Sequence, residues 1–148
     1  MPIVKGTIHP DDGAVIGVMV GVSQNRRKVL ERNHLPVPPP ITVFAQIDTG
    51  SVVTGFQPAV FRDLEIQAFG RIPLRTPSTK PGEPWESDLY DVSVTLVSGN
   101  TTEYLPSIHS IVSEDFDREG VQAIIGRDVL SRCAFFYHGP EGWFHLAF

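Results

Sequence analysis

Residues 43–53 read VFAQIDTGSVV: an apolar segment runs into Asp48-Thr49-Gly50-Ser51 and then resumes in Val52-Val53. Asp-Thr-Gly is an ordinary turn composition, and chance alone supplies it in about one chain in thirty of this length. Its setting is what needs explaining. A carboxylate placed at the end of a buried strand, with apolar sequence on both sides, loses hydration that a solvent-facing turn would keep. A site in which that carboxylate does chemistry would account for the placement.

The flanking sequence supplies a frame for such a site. Residues 41–47, ITVFAQI, alternate Ile41, Val43, Ala45 and Ile47 against Thr42, Phe44 and Gln46, which predicts a strand ending at Asp48. An earlier strand is predicted over 14–22, AVIGVMVGV. The connection between them, 23–40, reads as a long solvated loop carrying Arg26-Arg27-Lys28, with one helical turn around Val29-Leu30 before the prolines stop it. After the turn, Pro58 opens a short helix over 58–64 with Phe61 and Leu64 on one face. Two strand-like segments, 71–76 and 89–97, are joined by the polar, proline-rich stretch 77–88, and together predict a projecting hairpin. Tyr90, Val92, Val94 and Leu96 share one face of its second strand. Further strands are expected at 107–112 and 121–125. A short helix, RDVLSRC, follows Gly126 and buries Val129, Leu130 and Cys133, and a terminal hairpin turns at GPEG (139–142).

Bulk properties narrow the function classes. The chain has 148 residues, enough for one domain over 1–148, and its hydrophobic fraction of 41% supports a core. A net charge of −5 and a pI near 5.4 argue against a nucleic-acid-binding face. The apolar run at 14–22 is too short to cross a membrane, and the single cysteine, Cys133, excludes an internal disulfide and favours a reducing compartment. The expectation is a soluble cytoplasmic protein. The five histidines show no metal-ligand spacing, so neither metal nor cofactor is expected.

The order of these features resembles the retropepsin-like aspartic proteases from about residue 14 to the end. IDTGS, the hairpin around 76–88 and IIGRDVL (124–130) carry the resemblance. It implies an all-β, closed barrel-like fold with a flap hairpin and one or two short helices, assembled as a homodimer. Only one Asp-Thr-Gly is present, so a second Asp48 would come from another copy across a two-fold axis. Two carboxylates held close cannot both ionise, so one would activate water while the other protonates the carbonyl oxygen. This implies an activity optimum below neutral pH.

The resemblance also assigns supporting roles. Thr49 would hydrogen-bond across the dimer axis, Gly50 would admit substrate backbone, and the Ser51 hydroxyl would reach the outer oxygen of Asp48. Ile125, Gly126 and Arg127 would lie beneath the site. Thr76, Pro77, Ser78, Thr79 and Trp85 would belong to a flap closing on an extended peptide or protein substrate. Two departures stand out. The flap tip carries Pro77, Pro81 and Pro84 with only Gly82, and Val52 occupies a position where viral members often have an acid, leaving Arg127 to find another partner.

Asp128 reads as a first-turn helix acid rather than a second catalytic carboxylate, and Trp143 with Phe135, Phe136, Phe144 and Phe148 reads as core or dimer interface. The alternative function is a dimeric module on the same fold that binds a peptide or protein without cutting it. The intact DTGS favours the enzyme, because a pure binder has no reason to bury two like charges. A sugar hydrolase ranks below both, for want of a carboxylate pair within the chain.

Overall fold

The computed structural model describes residues 1–75, 79–113 and 120–148. Along the chain the elements are β1 (Ile3–Thr7), β2 (Val15–Val22), α1 (Gln24–Arg32), β3 (Ile41–Ile47), β4 (Gly55–Phe56), α2 (Pro58–Asp63) and β5 (Gly70–Leu74). They continue with β6 (Trp85–Ser98), β7 (Thr101–Val112), β8 (Ala123–Ile125), α3 (Arg127–Leu130), β9 (Ala134–His138) and β10 (Trp143–Ala147).

Six strands close on themselves. The order β2-β3-β8-β4-β7-β6 returns to β2 through an antiparallel β2–β6 pairing, so the barrel has no free edge around its waist. Alternation in the sequence becomes an inside and an outside. Val18 and Val20 from β2, Ala45 from β3, Phe56, Val92, Val94 and Ala123 are all fully buried. Their neighbours in β3, Thr42 and Phe44, face out, with Phe44 half exposed. At roughly 25 cal/mol per Å² of apolar area, each large interior side chain contributes about 2 kcal/mol, and the ring as a whole dominates folding.

β6 is long because it serves two neighbours in succession along one edge. Its first residues, Trp85–Leu89, pair with β5, while Val92–Leu96 pair with β2 and close the barrel. A register irregularity against β7 falls between Val92 and Val94, where the strand passes from one duty to the other. The β5–β6 hairpin therefore extends past the barrel wall. Arg71 clasps it: Nε donates to Asp88 Oδ1 at 3.0 Å, and Nη1 lies 3.5 Å from Glu86 Oε2.

A smaller antiparallel sheet, β1-β10-β9, packs on the barrel. Phe144 and Leu146 point inward and are fully buried, whereas Phe136 and Tyr137 on the edge strand β9 remain more than half exposed. Of the terminal aromatics, then, Phe144 and Phe148 belong to the core and Phe136 does not.

The structure departs from the sequence reading in several places. The 23–40 connection is not a loop with a single turn. Ser23 caps a nine-residue helix by accepting from the Arg26 N–H, and Leu30 anchors that helix to the body. The basic residues 26–28 thus lie on a helix, and the prolines act only after Asn33. β6 starts four residues earlier than expected because Trp85–Asp88 pair with β5, and β7 six earlier because the Gly99-Asn100 turn brings Thr101 opposite Ser98. The carboxy-terminal helix stops at Leu130, leaving Cys133 just beyond it and partly buried. β1 and the two-residue β4 went unrecognised, being short and supported by partners remote in sequence. No helix among the described residues is long and apolar enough to cross a membrane.

Candidate functional site

Asp48 takes its position from two strands. Ile47 pairs in parallel with Ile125, and the Asp48 N–H then donates to the Ile125 carbonyl at 3.0 Å. The chain turns immediately. Ser51 N–H reaches back to the Asp48 carbonyl at 3.2 Å, and the side-chain Oδ1 accepts from Gly50 N–H at 2.9 Å and from Ser51 N–H at 3.2 Å. This is an Asx-type turn closed by the carboxylate itself. No protein donor reaches Oδ2 among the described residues. Asp48 is half-buried while Thr49 and Gly50 are exposed, so the loop presents one free carboxylate oxygen at the surface of the barrel end.

Gly50 suits this turn because a Cβ there would sit 3.2 Å from Asp48 Oδ1. The Ser51 hydroxyl behaves otherwise than expected. It donates to the Val53 carbonyl at 2.6 Å, a neighbouring acceptor that stabilises the descending limb of the loop rather than the carboxylate.

That limb, 51–54, lies against 126–128. Arg127 N–H donates to the Ser51 carbonyl at 2.9 Å and Asp128 N–H to the Val52 carbonyl at 3.3 Å. Thr54, fully buried, is the fastener. Its hydroxyl donates to Asp128 Oδ1 at 2.7 Å and accepts from Gly126 N–H at 3.0 Å, while its own N–H donates to Asp128 Oδ2 at 2.9 Å. Asp128 does sit in the first turn of α3, yet its carboxylate is committed to Thr54 and to Val129 N–H, so its role is structural. Gly126 is forced by proximity: a Cβ would lie 2.5 Å from the Val53 carbonyl oxygen. Arg127 is exposed, and its side chain has no carboxylate partner among the described residues.

Between the Asp48 loop and the β5–β6 hairpin lies a cavity of about 880 Å³. Asp48, Gly50, Ser51 and Val53 line one side, and Ile72, Leu74, Arg75 and Trp85 another, with Ile111 and Ile124 between them. Trp85, directly opposite Leu74 in the hairpin, is half exposed and lines this space. Thr79 lies in the hairpin tip but does not line the cavity, and Thr76, Pro77 and Ser78 fall outside the described residues. A smaller cavity, about 560 Å³, opens between α1 and the 65–69 segment and includes no part of the Asp48 loop. The larger one is the candidate active site, since it holds the carboxylate.

The structure brings together Asp48, Gly50, Ser51 and Trp85 around one space, with Ile125, Gly126 and Arg127 behind the loop. The sequence reading missed Thr54, Ile72, Leu74, Arg75, Ile111 and Ile124. The sequence marked 71–76 only as a strand, and nothing local indicated that Ile72 and Leu74 look toward Asp48.

The chain matches no protein-family model, and no curated protein matches it in sequence. Among solved structures it is similar to a retropepsin-like aspartic protease from Rickettsia conorii. The TM-score is 0.59, with 13% sequence identity over 97% of this chain and 89% of that one. The likeness extends across nearly the whole chain and establishes the fold as retropepsin-like.

Proposed function

We propose that the protein is an aspartic endopeptidase that hydrolyses extended polypeptides as a homodimer. The observation that carries this reading is the Asp48 carboxylate. One oxygen is held by the backbone N–H groups of its own turn, and the other meets no protein donor among the described residues and lies at the edge of a largely apolar cleft. A second copy related by a two-fold axis through the Asp48 loop would bring two such oxygens together.

In that dimer the two carboxylates share one proton, because like charges a few ångströms apart cannot both ionise. The ionised member accepts a proton from a water as its oxygen attacks the scissile carbonyl carbon. The protonated member gives its proton to the carbonyl oxygen, yielding a neutral tetrahedral diol. Collapse breaks the C–N bond as a carboxyl returns a proton to the departing nitrogen, releasing a new carboxyl terminus and a new amine. Gly50 and Ser51 keep Asp48 oriented through both steps. The β5–β6 hairpin acts as the flap: it covers the peptide, offers edge hydrogen bonds to its backbone, and keeps bulk water out.

The test is cleavage of a diverse peptide pool at pH 4–7, wild type beside Asp48→Asn, at a concentration where light scattering shows dimer. Cuts made by the wild type and absent with Asp48→Asn support the protease. A folded dimer that binds peptides without cutting them replaces it with a binding module on the same fold.

A further inference from the structure

We propose that Arg75 reads an acidic side chain of the peptide, a preference that rests on the cleft being a peptide site. Among the described residues, the charges around the cavity are sparse. Of the described residues that line it, only Asp48 and Arg75 carry charge, and Asp48 is assigned to the chemistry. The remainder of the hairpin wall is apolar, with Ile72, Leu74, Pro84 and Trp85. Arg75 follows β5 directly and is exposed at the rim.

The other arginine of this hairpin is already committed. Arg71 is bound to Asp88 and lies close to Glu86, which together hold its guanidinium above its ordinary pKa. Arg75 makes no ion pair among the described residues, and Glu86 and Asp88, the β6 acids of this hairpin, are occupied by Arg71. A peptide crossing the cleft would therefore set an apolar side chain against Ile72, Leu74 and Trp85, and present a nearby residue to a guanidinium that has no ion-pair partner among the described residues. The planar fork of five donors matches a carboxylate in two-point contact, which an amide or an ammonium cannot reproduce. Because the chain as a whole carries −5, its long-range field does not draw in acidic peptides. The preference is local and belongs to one residue.

The experiment uses C-terminally amidated peptides with a bulky apolar pair at the centre and Glu, Gln or Lys placed two to four residues from it. Binding to the 148-residue Asp48→Asn chain is followed by calorimetry, and cleavage by the wild type is measured in parallel. At one of these positions Glu should bind about 3- to 5-fold more tightly than Gln, as expected for a solvent-facing charge pair. The ratio should appear in KM rather than kcat, shrink in 1 M salt, collapse toward one in Arg75→Gln, and turn in favour of Lys in Arg75→Glu.

Equal binding of Glu and Gln peptides at every position, or a ratio that survives Arg75→Gln, overturns the assignment. So does a preference seen only when the peptide has a free C-terminus. If the wild type cuts nothing while the Glu preference persists in binding, the protease reading falls and the Arg75 assignment stands.

Discussion

Thr54 and Asp128, 74 residues apart in sequence, are joined twice: the Thr54 hydroxyl donates to Oδ1 at 2.7 Å and its backbone N–H to Oδ2 at 2.9 Å. This pair ties the loop that carries Asp48 to the amino end of α3. Because Thr54 is fully buried, water cannot replace either bond when one partner is removed.

Thr54→Val should therefore destabilise the protein by about 2–3 kcal/mol, leaving Asp128 Oδ1 and the Gly126 N–H without their shared partner. Asp128→Asn, which keeps one carbonyl acceptor, should cost about half as much. Urea midpoints measured on both variants decide this. Equal, negligible losses would mean that the pair contributes nothing net.

Gly126→Ala tests close approach rather than backbone freedom, since φ at Gly126 is −92° and suits any residue. The new methyl would meet the Val53 carbonyl carbon at 2.6 Å and push the 51–54 limb away from α3. The expected loss is about 1–3 kcal/mol, with peptide cleavage falling by at least about tenfold as Asp48 shifts. Melting curves and kcat/KM together check it, and unchanged values of both would show that the limb yields freely.

If each copy supplies half the dyad, activity per chain must fall on dilution. Initial rates plotted against enzyme concentration should curve upward below the dimer dissociation constant, and sedimentation should place monomer in the same range. A specific rate that stays constant down to demonstrated monomer would exclude a shared site.

Burial, and secondarily the negative charge of Glu103, pushes the Cys133 thiol above its ordinary pKa. The folded protein should thus react slowly with iodoacetamide at about pH 8, and unfolding in urea should release the rate. The sign for stability follows. With the folded value raised, the contribution is fully present below the unfolded thiol pKa near 8.5 and is lost as pH rises through the folded one. Between about pH 8 and 10 the wild-type urea midpoint should fall further than that of Cys133→Ser. Rapid alkylation of the folded chain would contradict the burial argument.

Much of the barrel was legible because its signals are local. β3 was placed residue for residue from the period-2 pattern of ITVFAQI, and α2 to within one residue from Pro58 and the Phe61/Leu64 spacing. α1 was under-read. Its charged residues resembled a solvated loop, and its cap, Ser23, is a weak signal when only Leu30 is buried. β1 was not assigned because its stability comes from β10, about 140 residues away.

At the site the division is similar. Asp48, Gly50 and Gly126 could be marked from sequence because each stands where its residue type is locally conspicuous: a carboxylate ending an apolar strand, or a glycine interrupting one. The destination of the Ser51 hydroxyl, the commitment of Asp128 to Thr54, and the convergence of Ile72, Leu74, Arg75 and Trp85 on one cleft could not be read that way. Hydrogen-bond partners and cavity walls depend on which strands the closed barrel makes neighbours. That is set by parallel and antiparallel pairings between segments far apart in the chain, and local pattern carries no information about them.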